Sequence, residues 1–242
     1  MLNKKLLPAA LAITLFAGTT VTAVTQAADI AGNVALTSDY KFRGISQTDE
    51  SPAIQGGFDI AWDNGIYVGA WGSSVDFDAN VTGFDGSLEL DLYGGWAGDI
   101  TDNVGVDVGY MYYGYPGDDG DDGDYQEVYL KLNLWDGTLG AVYSDDYYGG
   151  TGSFYYLSGD YSFGLGENFS LDLHLGYNDL DENGGFLATA TDSYIDYSAG
   201  VTASWLAVDW TLAYVGTDLD KKDVFGTKWG DDSVIFTISK SM

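Results

Sequence analysis

Five aspartates and three glycines follow one another in the run PGDDGDDGDY, residues 116–125. Carboxylates and carbonyl oxygens on a flexible glycine backbone are ligands that Ca²⁺ prefers. Asp118 and Asp122 have the spacing of the first and third ligands of an EF-hand loop, but Gly120 stands at the second. Two interpretations remain open: a loosely bound Ca²⁺ or, as we favour, a solvated acidic loop that makes only loose contacts through divalent ions. The candidate ligands are Asp118, Asp119, Asp121, Asp122 and Asp124.

The single histidine, His174, lies near Ser170 and Asp172, and these are the residue types of a hydrolase triad. In an extended strand, residues two positions apart point to the same face, so the three side chains would share one face. The sequence contains no Gly-x-Ser-x-Gly nucleophile elbow. We therefore expect a structural histidine, no enzymatic activity and no cofactor, with a lipid hydrolase as the less favoured alternative.

The charge of the chain restricts its partners. Its 37 Asp and Glu residues face nine Lys and Arg residues, which gives a net charge of −28. Nucleic acids bind basic surfaces, so this balance excludes them, and it also disfavours anionic substrates. The absence of cysteine from the sequence excludes disulfides and Cys-zinc sites.

The first residues have the order of a secretory signal peptide. Lys4 and Lys5 form a basic start, an apolar run extends to about Ala17, and small residues precede Ala27. The apolar run is shorter than the roughly 20 residues that a transmembrane helix needs. We predict a signal peptide over residues 1–27 and a single domain over residues 28–242.

After residue 33, apolar residues recur at every second position, which is the period of a β-strand. From Phe169 to Tyr177, for example, leucines alternate with polar residues. The high content of glycine and aromatic residues also favours strands joined by tight turns. Twelve segments share the pattern, at about 33–43, 54–62, 66–75, 87–96, 104–113, 125–135, 138–145, 154–163, 169–178, 193–204, 206–216 and 232–241.

The connections between these segments alternate between short and long. Short ones, such as 63–65, follow the even-numbered segments, and long ones, such as 217–231, follow the odd-numbered segments. An even number of strands of about ten residues with this arrangement is typical of outer-membrane barrels, whose short turns face the periplasm. We predict an all-β fold, a transmembrane antiparallel up-and-down β-barrel of about twelve strands, in the outer membrane of a Gram-negative bacterium.

A soluble barrel or sandwich would show the same alternation, but aromatic residues at both ends of the apolar face favour a membrane barrel. Aromatic girdles form where a barrel meets the two lipid interfaces. The long-loop end carries Tyr40, Phe42, Tyr110, Tyr112, Tyr177 and Tyr214, and the short-turn end carries Trp62, Trp96, Phe163, Phe169 and Trp205.

The segment VALTSDYKFRGISQTDESPAIQGGFDIAW, residues 34–62, resembles the start of the TorF-type family of porins from Gram-negative bacteria. Beyond this segment, the likeness is one of general layout over the chain after residue 27. The resemblance implies a porin-like channel and supplies no catalytic residues. It is carried by Ser38-Asp39-Tyr40, Phe42-Arg43-Gly44, Ser46-Gln47, Pro52-Ala53 and Gln55-Gly56-Gly57.

If the apolar face contacts lipid, the alternate residues line the lumen. Acids far outnumber bases among them, and isolated buried carboxylates are costly, so we expect a water-filled passage. Acidic rings favour cations, and we predict passive diffusion of small hydrophilic solutes with a preference for cations. The predicted pore-lining residues are Asp39, Lys41, Arg43, Asp59, Glu89, Asp91, Asp107, Glu127, Lys131, Asp160, Asp172, His174, Asp196 and Asp209.

The alternative function is a structural or adhesive barrel with a closed lumen, whose external loops bind a partner. An aromatic stretch would support adhesion or sugar stacking through Tyr147, Tyr148, Phe154, Tyr155 and Tyr156. In either case we expect outer-membrane lipid and lipopolysaccharide as surroundings. The sequence leaves the oligomeric state open.

Overall fold

The computed structural model describes residues 28–117, 123–181 and 184–242. The predicted signal peptide, residues 1–27, lies outside the described residues. So do four of the five candidate Ca²⁺ ligands, namely Asp118, Asp119, Asp121 and Asp122. The signal peptide and the calcium site therefore stay predictions.

Twelve antiparallel strands form a closed barrel, which confirms the predicted fold class. Each strand hydrogen-bonds to its neighbours in the sequence, and the first pairs with the last. The strands are β1 (Asp29–Thr37), β2 (Ala53–Ala61), β3 (Ile66–Ser74), β4 (Leu88–Thr101), β5 (Val104–Gly114), β6 (Tyr125–Leu134), β7 (Gly137–Ser144), β8 (Phe154–Gly164), β9 (Phe169–Leu180), β10 (Ser193–Trp205), β11 (Val208–Thr217) and β12 (Ser233–Ser241).

Strand β1 closes the sheet because it pairs on both sides. Thr37 lies opposite Thr237 of β12 and opposite Ala53 of β2. Closure leaves no unpaired sheet edge, which removes the template on which edge strands aggregate.

The first strand is shorter than its predicted range of 33–43, because it ends at Thr37. The Thr37 hydroxyl donates to the carbonyl of Asp39 at 2.8 Å, and the Asp39 carboxylate accepts from the Ser46 hydroxyl at 2.6 Å. These bonds turn the backbone out of the barrel sheet. The alternation continues beyond Thr37 because the next residues form a separate small hairpin, which is part of the candidate site.

Successive side chains point alternately out of and into the barrel. On β9, Leu175 is 59% exposed whereas Asp172 is 1% exposed. On β4, Leu90 points outwards and Asp91 inwards. The exterior is therefore apolar and the interior polar, which is the reverse of a soluble globular protein.

Exposed aromatic side chains mark both ends of the barrel exterior. Tyr110 and Tyr177 lie near the long loops, and Trp96 and Phe169 near the short turns. The prediction is wrong for Tyr40 and Phe42, which lie inside the barrel because β1 ends before them.

Short turns and long loops lie at opposite ends of the barrel. The turn Leu206–Ala207 has φ angles of 56° and 58°, as a type I′ hairpin turn requires. The connection between β3 and β4 contains a one-turn helix, α1 (Ala79–Thr82), and the connection between β11 and β12 contains a 3₁₀ helix (Lys221–Val224). No helix in the described ranges is long and apolar enough to cross a membrane. The long loops are L1 (38–52), L2 (75–87), L3 (115–124), L4 (145–153), L5 (181–192) and L6 (218–232).

Candidate functional site

L1 folds into the barrel as a hairpin. Lys41–Phe42 pairs with Ile45–Ser46, and Arg43 and Gly44 form the turn between them. Both turn residues have a positive φ, 48° for Arg43 and 79° for Gly44, as a type I′ turn requires. This conformation is unfavourable for arginine, so the contacts around the side chain must hold it in place.

The tip of the hairpin reaches across the lumen. A Cβ atom added to Gly44 would lie 2.4 Å from Cγ2 of Thr217 on β11 and 3.0 Å from Cβ of Asp196 on β10. On the opposite wall, the ring of Phe42 packs against Tyr113 of β5, with 5.8 Å between centroids. The hairpin therefore bridges the lumen at the long-loop end, and only glycine fits at its tip without a shift of the wall.

Arg43 lies in a cage of aromatic rings and one carboxylate. Its guanidinium donates to both oxygens of Glu127 on β6, at 2.7 and 3.0 Å. Its Cζ atom lies 4.5, 4.7 and 4.6 Å from the ring centroids of Phe42, Phe154 and Tyr156, respectively. The side chains of Arg43 and Glu127 are only 6% and 3% exposed. Bidentate pairing and cation–π contacts are strong in such a sheltered place.

Asp39 and Lys41, which were predicted to line the pore, belong to L1 and not to the barrel wall. Asp39 is bonded within L1, as described above. Lys41 Nζ donates to the carbonyl of Asp231 at 2.5 Å, and the Ser46 amide donates to the carbonyl of Trp229 at 3.0 Å. Burial lowers the pKa of the Lys41 ammonium, although nearby carboxylates, Asp39 foremost, act in the opposite direction. These bonds attach the base of the hairpin to L6.

Glu89 and Asp91 of β4 are almost fully buried on the wall, at 1% and 0% exposure. Glu89 accepts a long hydrogen bond of 3.4 Å from the Tyr40 hydroxyl of L1. Neither carboxylate oxygen of Asp91 has a hydrogen-bond partner among the described residues. An unpaired buried carboxylate is destabilising. Strand β4 therefore carries two buried carboxyl groups, neither of which forms a salt bridge with a described basic side chain.

Tyrosine hydroxyls satisfy the next carboxylates along the wall. Asp107 and Lys131 are direct cross-strand partners on β5 and β6, and Asp107 also accepts from the Tyr67 hydroxyl at 2.5 Å. Asp59 accepts from the Tyr93 hydroxyl at 2.6 Å. Because the chain has few basic residues, neutral hydroxyl donors stabilise carboxylates that form no salt bridge with a described basic side chain.

His174 lies between two carboxylates on neighbouring strands. Its Nδ1 is 2.7 Å from Oδ1 of Asp160 on β8, and its Nε2 is 2.8 Å from Oδ1 of Asp196 on β10. Ser170 instead donates to Asp172 at 2.9 Å. The serine and the histidine are thus engaged by different carboxylates, and they do not form the serine–histidine contact of a triad.

Hydroxyl donors also hold the carboxylates nearer the short turns. Asp172 accepts from Ser162 at 2.6 Å and from Thr202 at 3.1 Å, and Asp209 accepts from Ser204 at 2.5 Å. All of the predicted pore-lining residues that lie on barrel strands therefore point into the barrel. Their part in conduction stays a prediction.

Asp124 is the described member of the acidic run. Its carboxylate accepts the Tyr115 amide at 2.7 Å and also the Tyr112 hydroxyl, so it helps to close L3. Within the described ranges, no group of three or more His, Asp or Glu side chains is placed to hold a metal ion.

The six long loops enclose a cavity of about 610 Å³ on the outer side of the hairpin. Its aromatic residues pack edge to face, as Phe77 and Phe84 do with centroids 4.9 Å apart. The aromatic lining consists of Phe42, Phe77, Phe84, Tyr115, Tyr125, Tyr147, Tyr148, Phe186, Tyr194, Phe225 and Trp229.

The aromatic stretch considered for adhesion has three different locations. Tyr147 and Tyr148 line the cavity. Phe154 and Tyr156 lie inside the barrel against Arg43. Tyr155 points outwards and is 52% exposed. Only the first pair is therefore placed to contact a ligand at the loops.

Sequence reasoning missed the insertion of L1 and the cavity above it. A signal for the hairpin was present, because the Arg43-Gly44 pair lies between residues of alternating polarity, with glycine at a turn position. The cavity had no comparable signal, because residues from six separate loops form it.

Comparison with protein families gives one match. Residues 22–242 match the family described as "Bacterial protein of unknown function (Gcw_chp)". The chain belongs to the Gcw_chp family. This match does not carry the TorF-type name, so that name stays a prediction. No curated protein matches the chain.

Among solved structures, this Gcw_chp chain is similar to porins. It resembles the "KdgM porin" with a TM-score of 0.56 and 7% identity, over 87% of this chain and 97% of that one. The "NanC porin" gives a TM-score of 0.54 and 12% identity, over 87% of this chain and 98% of that one. A structure titled "KdgM porin in complex with disordered oligogalacturonate" gives 0.53 and 7%, over 88% and 96%. Identities this low show a shared fold.

Proposed function

We propose that the protein is a porin-like channel of the Gram-negative outer membrane, through which small hydrophilic solutes diffuse passively. The observation that carries the proposal is the polarity of the closed barrel, with Leu175 outside and Asp172 inside. An apolar exterior is stable against acyl chains, and a polar interior favours water. The similarity of the fold to KdgM and NanC supports this function. A signal peptide over residues 1–27 would export the chain.

We further propose that the channel prefers cations. Asp59, Asp160 and Asp209 are partly exposed on the inner wall, whereas Arg43 is neutralised by Glu127. Acid-rich walls concentrate cations and repel anions. The KdgM porin forms a complex with oligogalacturonate, an anionic oligosaccharide. The acidic lumen of this chain disfavours such a solute.

L1 sets the width of the proposed passage. Its hairpin reaches from β5 to β10 and β11, so solutes must pass beside it or displace it. A barrel of twelve strands is intermediate between eight-stranded barrels, which side chains fill, and sixteen-stranded open porins. We therefore expect a small conductance from the wild-type protein.

The test is conductance in planar lipid bilayers under a tenfold KCl gradient, which gives the reversal potential. We expect discrete channels that select K⁺ over Cl⁻. A variant carrying Asp59→Asn, Asp160→Asn and Asp209→Asn should conduct with reduced selectivity. A selectivity for Cl⁻, or no channels from either folded wild type or a folded variant that lacks L1, would overturn the proposal.

One observation favours the alternative of a closed barrel with a binding surface, namely the position of L1 beneath an aromatic cavity. Swelling of liposomes in small sugars separates the two functions, because only a pore lets them enter. The separate hydrogen bonds of His174 and Ser170 support a non-enzymatic protein. We also propose that the acidic run of L3 contacts lipopolysaccharide through divalent ions such as Ca²⁺.

A further inference from the structure

The cavity above the hairpin differs in charge from the rest of the chain. None of the described residues that line it is charged, although the chain has a net charge of −28. A random sample of this surface would include several carboxylates. We propose that the cavity is a binding site for an uncharged molecule with a flat apolar ring system, which goes beyond the proposed passage of small polar solutes.

The size of the cavity is that of a ligand site. Packed protein interiors contain few voids larger than a water molecule. Small-molecule sites typically enclose about 300 to 1,000 Å³ and are lined by apolar and aromatic groups, and a cavity of about 610 Å³ falls in that range. The space is therefore large enough to hold a small molecule.

The rings around the cavity pack against one another. Tyr148 contacts Phe77 of L2 at 6.1 Å, Tyr115 of L3 at 5.6 Å and Tyr125 at 6.3 Å between centroids. The pairs with Tyr115 and Tyr125 are edge to face, a geometry to which a further flat ring can be added. The arrangement is thus suited to a ligand that adds one more member to the cluster.

Three polar side chains of the lining favour an apolar ligand over a sugar. The Thr82 hydroxyl donates to the carbonyl of Phe77 at 3.1 Å, and the Thr151 hydroxyl donates to the carbonyl of Tyr148 at 3.0 Å. The side-chain amide of Gln47 donates to the carbonyl of Ile45 at 2.9 Å. These donors already have partners within the loops, so a ligand rich in hydroxyls would lose hydrogen bonds to water without replacement.

A charged ligand is also disfavoured. Burial of an unpaired charge is costly, and no opposite charge lines the described part of the cavity. Aromatic rings attract cations, but their faces alone compensate desolvation only in part. An uncharged ring compound has neither cost.

Three probes of matched shape test the proposal: 2-naphthylmethanol, 2-naphthoate and the 2-naphthylmethyl trimethylammonium ion. Maltose is the sugar control. Binding is measured by calorimetry on full-length protein in lipid nanodiscs, with empty nanodiscs as the blank for partitioning into lipid. We expect saturable binding of the alcohol at one site per chain, with at least tenfold weaker binding of both ions. Tyr148→Phe should retain this affinity, and Tyr148→Ser should weaken it about tenfold.

Four results would overturn the proposal: no saturable binding above the blank, equal or tighter binding of either ion, an unchanged affinity in Tyr148→Ser, or binding of maltose in preference to the alcohol. Folding of each variant is checked by its heat-dependent migration in gels. Channel conductance is measured on the same samples. Conductance without binding would remove this inference and leave the proposed channel intact.

Discussion

Arg43 at the tip of L1 and Glu127 on the barrel wall form a bidentate salt bridge inside the barrel, with N–O distances of 2.7 and 3.0 Å. The two residues are 84 positions apart in the sequence. The bridge supplies the single strong ionic contact between L1 and β6 among the described residues. The bridge therefore holds L1 against the wall and also neutralises one carboxylate of the lumen.

Arg43→Met should destabilise the folded protein by about 3 to 5 kcal/mol, because it leaves the buried Glu127 carboxylate without an opposite charge. The free energy of unfolding in urea, measured in lipid vesicles, checks this value. The double variant Arg43→Met/Glu127→Met should recover most of the loss, since neither charge then remains. If the single and double variants were equally unstable, the aromatic cage and not the ion pair would hold the loop.

Replacement of residues 38–52 by Asn-Gly should raise the single-channel conductance. Thr37 and Ala53 are direct cross-strand partners, so a two-residue type I′ turn can join them without disturbing the sheet. The variant removes the hairpin that bridges the lumen. Current through single channels in planar bilayers measures the effect.

The matched control for the loop deletion shortens another connection and leaves L1 in place. Residues 180–192, which include L5, connect Asp179 to Ser193, which are also direct partners, so the same Asn-Gly turn fits there. The described hydrogen bonds from L5 to other loops go to L4 and L6, for example from Thr189 to Asp223. This variant should conduct like the wild type. A conductance that rose equally in both variants would show that L1 is not the constriction.

The sequence predicted the barrel well because lipid imposes a simple rule on it. Every strand must turn its apolar side chains outwards, so the period of two appears in each segment and the strand ranges follow within a few residues. The prediction of β1 was wrong beyond Thr37 because the L1 hairpin has the same period of two. Periodicity cannot distinguish a strand of the wall from a hairpin inside it.

The contacts of the candidate site were less accessible to prediction. Asp160, His174 and Asp196 all belong to the predicted inward phase, and they are neighbours because their strands are consecutive. The partner of Arg43 depends on how far L1 reaches across the lumen, and no local pattern encodes that distance. The cavity depends on the packing of six loops, which is a property of the folded chain.

Asp91→Asn should stabilise the protein by about 1 to 3 kcal/mol, because it removes the cost of burying an ionisable carboxyl group that has no hydrogen-bond partner among the described residues. Urea unfolding in vesicles measures the change. Asp172→Asn is the control, because Asp172 accepts bonds from three hydroxyls and its loss should destabilise by a similar amount. A loss of stability in Asp91→Asn would show that its carboxylate has a favourable partner, such as bound water or a cation.

Acid should release L6 from the barrel wall through Asp232. The hydroxyl of Tyr214 and then that of Tyr197 donate to this carboxylate and lower its pKa. Since the pKa is lower in the folded state, the contact contributes stability above the ordinary aspartate pKa. That contribution disappears as the pH falls through the lowered value. Cleavage within L6 by pepsin, followed from pH 5 to pH 2, should therefore accelerate only at the acid end.

The variant Tyr197→Phe/Tyr214→Phe isolates the cause of this pH dependence. Without the two hydroxyl donors, the pKa of Asp232 returns towards its ordinary value, and L6 should become sensitive to pepsin at a higher pH than in the wild type. Asp232→Asn should show rapid cleavage with little additional effect of Asp232 titration, because position 232 no longer carries a proton-dependent charge. Pepsin's own pH profile is removed by a reference peptide in the same reaction. If the wild type and the double phenylalanine variant showed the same corrected profile, the tyrosine–aspartate contact would not be what holds L6 to the wall.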